Sequence, residues 1–193
     1  ESFARSPRRN DEMLAVTLSN ASNALVSGTG AGTGTINDDD AAPSLALGDA
    51  TATEATGSSS TLRFVVSLST ASGKTATVDY GTVDGTATAP ADYTAQAGRL
   101  TFLPGATRKT VTVAVAGDTL DEAEETLTVT LSNASNATIV TSTGIGTITN
   151  NAGAVPSLAI DNPLAIEGHV GTTTVEFVVT LSSASGKTVT VNY

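Results

Sequence analysis

Residues 127–136 read LTVTLSNASN, and residues 14–23 read LAVTLSNASN. In the later copy Leu127, Val129 and Leu131 alternate with Thr128, Thr130 and Ser132. A period of two is the signature of a β-strand with one buried and one solvated face. The β-branched residues agree with it, and the Ser/Asn cluster that follows is turn chemistry. A strand-plus-turn that occurs twice also says that the chain is built from copies of one unit.

The copies extend well beyond this stretch. PSLAL at 43–47 returns as PSLAI at 156–160, and 20 of the 38 positions from Pro43 to Tyr80 are identical 113 residues later. Glu54 matches Glu167, and ASGKT recurs at 71–75 and 184–188. With the spacing shortened by one, GTIN at 34–37 matches GTIT at 146–149. The expected organisation is the C-terminal part of one repeat at 1–40, a complete repeat at 43–151 and the N-terminal part of a third at 156–193. The chain begins at Glu1 rather than Met and is expected to be an internal piece cut at both ends.

Within 43–151 the strand signals are SLALG, TLRFVVSL, TATVDYGT, GRLTFL, KTVTVAV, TLTVTLS and GIGTIT. Gly, Pro, Asn, Asp and Ser clusters such as TASGK, LPGAT and SNASN divide them. About seven short strands in roughly 110 residues predict an all-β, antiparallel, immunoglobulin-like sandwich. With no Cys and no Trp, its core has to rest on Phe64, Phe102, Val and Leu. The linkers DDDAAP (38–43) and NNAGAVP (150–156) are short, which suggests repeats set end to end with restricted hinges.

The 193 residues carry a net charge of −10, with nine Lys and Arg against nineteen Asp and Glu. Nucleic acid and anionic membrane surfaces call for basic patches, and RSPRR at 5–9 is too short to make one. No apolar run is long enough to span a bilayer, and no signal peptide is visible. The absence of cysteine leaves the redox compartment open.

Charge gathers most densely in DTLDEAEET at 118–126, where Asp118, Asp121, Glu122, Glu124 and Glu125 fall in eight positions without a Lys or Arg. Such a run is commonly a solvated face, and it can equally be a cation site. It lacks the alternating acids and the glycine of an EF-hand loop. With no His or Cys pair, the sequence argues against zinc. GTGAGTGT at 28–35 lacks the strand–turn–helix setting and the Lys of a phosphate loop, and reads as a Gly-rich turn entering a strand. His169 in EGHVG reads as an exposed turn residue. Asn20, Asn133 and Asn136 begin glycosylation sequons, although the turn reading of SNASN is sufficient.

The whole run from PSLALGDATATEATG through VDYGTVDGTATAPADYTAQAGRLTFLPGATRKTVTVAVAGDTLDEAEETLTVTLSNASNATI resembles a Calx-β domain. ADYT, the G.L.F.PG...K.V.V pattern, GD...E..E...V.LSN and the acidic run NDDD at 37–40 carry the resemblance. It implies a seven-stranded sandwich of the kind found in sodium–calcium exchanger regulatory regions and, in tandem, in large bacterial surface and secreted proteins. Some members bind Ca²⁺ at one end of the sandwich. Carried over position by position, the implied ligands are Glu54, Asp92, Asp118, Glu122 and Glu125, with the backbone carbonyl of Leu120. The family's closing acidic run falls on Asn150 and Asn151, a departure from the pattern. In the first copy the run is present as Asp38, Asp39 and Asp40, with Glu12 matching Glu125, but Arg9 stands at the place of Glu122. The third copy retains only Glu167.

The expected function is therefore that of a non-enzymatic, Ca²⁺-binding structural or adhesive module of a longer extracellular or cell-surface protein, of bacterial type. Its expected partners are neighbouring repeats, with a further protein or glycan ligand open. An ion-free mechanical spacer and a glycan- or partner-binding module are the alternatives. The stalk of a secreted hydrolase ranks below them, and a glycoside hydrolase reading of the chain itself is weak, because a sugar cleft needs stacking aromatics and the chain has three Tyr, four Phe and no Trp.

Overall fold

A computed structural model describes residues 9–151 and 155–193. Arg5 and Arg8 of the basic cluster, and positions 152–154 of the second linker, lie outside the described residues.

The segment expected to be a complete repeat forms two packed sheets from nine strands. These are β3 (Ser44–Leu47), β4 (Ala50–Thr53), β5 (Ser60–Leu68), β6 (Ala76–Asp84), β7 (Ala97–Phe102), β8 (Arg108–Val115), β9 (Glu125–Ser135), β10 (Thr138–Thr141) and β11 (Thr143–Thr149). One sheet runs in the order β10-β3-β5-β8 and the other in the order β4-β11-β9-β6-β7. Each of the seven strand signals appears, and the extra two strands have identifiable origins. The first signal ends at Gly48, and past Asp49 the chain resumes as β4, which no signal covered, so that β3 joins one sheet and β4 the other. The last hairpin contributes β10 as a short edge strand. Both additions pair in parallel, β3 with β10 and β4 with β11, at the edges of sheets that are otherwise antiparallel.

Alternation sets the packing. In β5, Leu62, Phe64, Val66 and Leu68 point inward, while Thr61, Arg63 and Val65 are exposed. Val111, Val113 and Val115 of β8 face them from the same sheet, and Val78, Phe102, Leu127, Val129 and Leu131 close the core from the other. Tyr93 is the largest fully buried side chain and was absent from the expected core. Its ring is packed while its hydroxyl donates to Asp84 Oδ1 at 2.5 Å, the polar exit that a buried tyrosine needs.

SNASN acquires a physical reason. Asn133 and Asn136 have φ of 51° and 56°, and Asn20 and Asn23 of the first copy have 52° and 56°. Asparagine tolerates this left-handed region better than other non-glycine residues. Asn136 Nδ2 also donates to Thr75 O at 2.9 Å, so the turn is tied to the start of β6.

The flanking copies repeat the same pairings. β1 (Glu12–Thr17) and β2 (Ala31–Ile36) form an antiparallel pair that sets Glu12 opposite Ile36, as Glu125 stands opposite Ile148. β12 (Leu158–Ile160) and β13 (Val179–Leu181) set Leu158 opposite Leu181, as Leu45 stands opposite Leu68. Their apolar side chains, among them Leu14, Val16, Phe177 and Val179, are exposed.

Candidate metal centre

Five chain segments converge at one end of the sandwich. β4 ends at Thr53 and delivers Glu54, whose N–H donates to Thr149 O at 2.9 Å. β6 ends at Asp84, and the loop beyond it carries Asp92. β8 ends at Val115, and the acidic loop that follows carries Asp118 and Glu122. β9 begins with Glu125, and β11 leads to Asn150. Loops at a sandwich end can thus combine acids that stand far apart in sequence.

Local contacts fix these segments. Asp92 O accepts the N–H of Ala116 at 2.9 Å, latching its loop to the end of β8, while Asp92 Oδ2 accepts Thr88 N–H at 2.7 Å. Glu54 Oε1 accepts the N–H of Asp118 at 3.1 Å. That approach requires Gly117, because a Cβ there would strike the carbonyl oxygens of Ala55 and Ser58.

Glu54, Asp118 and Glu122 can each place an oxygen within 4.8 Å of the others. Glu54, Asp92, Glu122, Glu125 and Asn150 line a cleft of about 10 Å³, the room of one water-sized body. The walls behind them are Ala116, Ala123 and Ile148. Packed this closely, Glu122 and Glu125 resist ionisation. Burial raises Glu122 above the usual carboxylate range, with the charges of Asp118, Glu54 and Asp92 adding to it. Glu125 is pushed up to about 7, first by burial, then by Asp92 and Glu122, and by a hydrogen bond to Asp92 that its neutral form satisfies. Asn150 contributes a different signal. Its Nδ2 donates to Asp121 Oδ1 at 3.2 Å, but its Oδ1 is buried without a hydrogen-bond partner.

An all-oxygen set of this kind suits a hard divalent cation, and Ca²⁺ takes six to eight such oxygens. The orphaned amide oxygen and the raised carboxyls are what a cation would relieve, so the residues present fit the ion.

The other expected ligands are placed differently. The N–H of Leu120 donates to Asp118 Oδ1 at 2.7 Å, shaping the loop, but Leu120 does not line the cleft. Nor does Asn151, whose amide donates to Thr56 Oγ1 at 2.8 Å. In the first copy Glu12, Asp38, Asp39 and Asp40 do line a common concavity, together with Arg9. Cations are already there: Arg9 Nη1 lies 3.1 Å from Glu12 Oε1, and Lys74 Nζ lies 3.0 Å from Asp38 Oδ2. Glu167 is exposed.

The Calx-beta domain profile matches residues 38–151, more than half of the chain. The chain belongs to the Calx-beta domain family. It is 36% identical over 112 residues to sodium/calcium exchanger 1 of Rattus norvegicus and 35% identical over 112 residues to that of Mus musculus. In both cases the match covers 56% of this chain and 11% of the relative, so the chain spans about a tenth of those proteins. Among solved structures, CBD12 from CALX1.2 aligns at 26% identity with a TM-score of 0.50, covering 56% of this chain and 45% of that one. The apo-form Calx CBD1 domain aligns at 25% identity with a TM-score of 0.49, covering 57% and 98%.

Two residues at this end of the Calx-beta sandwich were missed as participants by sequence reasoning. Asp121 is buried and pairs with Lys187 at 2.6 Å, yet in the sequence it is one acid among five. Lys187 was visible only as part of the repeated ASGKT.

Proposed function

We propose that this chain is a calcium-binding, non-enzymatic structural module in which sandwich copies follow one another in a longer extracellular or cell-surface protein of bacterial type. The observation that carries the cation reading is the convergence of Glu54, Asp118 and Glu122 within 4.8 Å, beside a cleft that Glu54 and Glu122 line together with Asp92, Glu125 and Asn150, whose amide oxygen is buried without a partner. The curated relatives named as sodium/calcium exchangers support calcium as the ion. The repeated strand registers at 158–181 and 12–36 support a succession of copies.

A bound Ca²⁺ would supply positive charge among the carboxyls. The chain's own residues hold the ligands in place: Gly117 admits the loop, Glu54 ties it down, and Asp92 is fastened to β8. The first copy is read otherwise. Glu12 pairs with Arg9 and Asp38 with Lys74, so we assign that end to contact with its neighbour rather than to an ion.

Thermal unfolding of the full chain tests the cation reading. Millimolar Ca²⁺ should raise the melting temperature, because a ligand held only by the native state stabilises it. Mg²⁺ should do less, since it demands a tight octahedral shell. Equal melting curves with Ca²⁺ and with chelator would contradict the proposal.

A further inference from the structure

Two lysines 113 residues apart each reach back to an acid that precedes their own copy. Lys74 Nζ lies 3.0 Å from Asp38 Oδ2, with side chains 19% and 8% exposed. Lys187 Nζ lies 2.6 Å from Asp121 Oδ1. The loops that present them are built alike: Lys74 N–H donates to Ser72 Oγ at 3.0 Å, and Lys187 N–H to Ser185 Oγ at 3.1 Å. At the second contact the backbone takes part as well, with Gly186 N–H donating to Asp121 O at 3.2 Å. Gly186 also lies flat against Glu122, and a Cβ there would come within 2.6 Å of Glu122 Cγ.

The acids at the two contacts are not equivalent positions, and the exchange is informative. The position matching Asp38 in the next copy is Asn150, and the position matching Asp121 in the previous copy is Arg8. Where the end of β11 has lost its carboxylate, the acidic loop supplies one. Where the loop carries arginine, the end of the strand supplies one. Asn150 still takes part, donating to the same Asp121 Oδ1 that receives Lys187. An ammonium thus finds a carboxylate at both places by different routes, which coincidental surface pairing does not explain.

We propose that the Ser-Gly-Lys loop of each copy is a docking finger for the acidic end of the copy before it, its lysine clamping whichever carboxylate that end offers. The partner is the neighbouring copy of the same polypeptide, recognised by charge and by a glycine flat enough to lie on Glu122. This inference rests on reading the chain as consecutive copies. It does not rest on the cation, because Asp121 and Asp38 are not lining residues of the cleft.

Amide hydrogen exchange on the full chain, in chelator throughout, tests the clamp. The Gly186 amide should be protected. Lys187→Glu should speed its exchange at least tenfold, and Lys187→Glu combined with Asp121→Lys should restore protection by reversing the pair. The amides of Leu127 and Val129 report in each variant that the sandwich remains folded. An unprotected Gly186 in the parent chain, or a double variant no slower than the single one, would overturn the docking finger. Neither result would bear on calcium, since none is present.

Discussion

The carboxylate of Glu54 accepts the backbone N–H of Asp118 at 3.1 Å, across 64 residues of sequence. The most negative loop of the protein is therefore tethered by another anion, at the point where Gly117 brings the two backbones together. In the absence of a cation this tether works against the repulsion that surrounds it.

Substituting Glu54 separates the two roles. Glu54→Gln keeps an oxygen to accept from Asp118 while removing a charge, so in chelator it should leave stability unchanged or raise it. Glu54→Ala loses the acceptor too and should cost about 1.5–3 kcal/mol, the range for a hydrogen bond to a charged group. Both should weaken calcium binding. Urea unfolding with and without calcium distinguishes these outcomes.

Acidity gives a second test. Glu125 titrates near 7 in the fold, against an ordinary 4.5. Between those values the folded chain holds a proton that the unfolded chain has released, so stability falls as pH rises through that window and levels off above about 7. Calcium needs the ionised carboxylate. The calcium-induced rise in melting temperature should accordingly grow from pH 5.5 to 7.5. In Glu125→Gln the cation-free decline should shrink, leaving the part due to the raised Glu122, as differential scanning calorimetry at a series of pH values would show.

Asn150 and Asn151 are neighbours with different environments, and they should respond differently to the same change. Asn150 lines the cleft and its amide oxygen is unpartnered, so Asn150→Asp adds a charged ligand and should tighten calcium binding about tenfold, or 1.4 kcal/mol. In chelator it should destabilise, since another anion joins an already crowded site. Asn151 is turned toward Thr56, and Asn151→Asp should change affinity less than threefold. Paired calorimetric titrations of the two variants check this.

Strand periodicity made the sandwich legible, since residues such as those of TLRFVVSL alternate in sequence as they do in burial. The sheet switch at Gly48 and Asp49 was not legible, because a break of two residues leaves no mark in a period-two pattern. Tyr93 escaped notice for a related reason. It sits outside regular strand pattern, and only the three-dimensional path to Asp84 makes its burial affordable. For the site, the resemblance gathered Glu54, Asp92, Asp118, Glu122 and Glu125, which no spacing rule could have joined. It could not separate Asn150 from Asn151, nor reveal that Asp121 turns to a lysine 66 residues later. Those distinctions depend on how loops pack at the sandwich end.

Isothermal titration of Ca²⁺ into the chelator-stripped full chain at pH 7.5 tests the central claim most directly. The account predicts saturable binding in the range of extracellular modules, about 10⁻⁴ to 10⁻³ M. It also predicts that Glu122→Gln with Glu125→Gln abolishes that binding while the chain stays folded by circular dichroism. Absence of saturable binding up to about ten times the weaker limit of that range, or undiminished binding in the double variant, would contradict it.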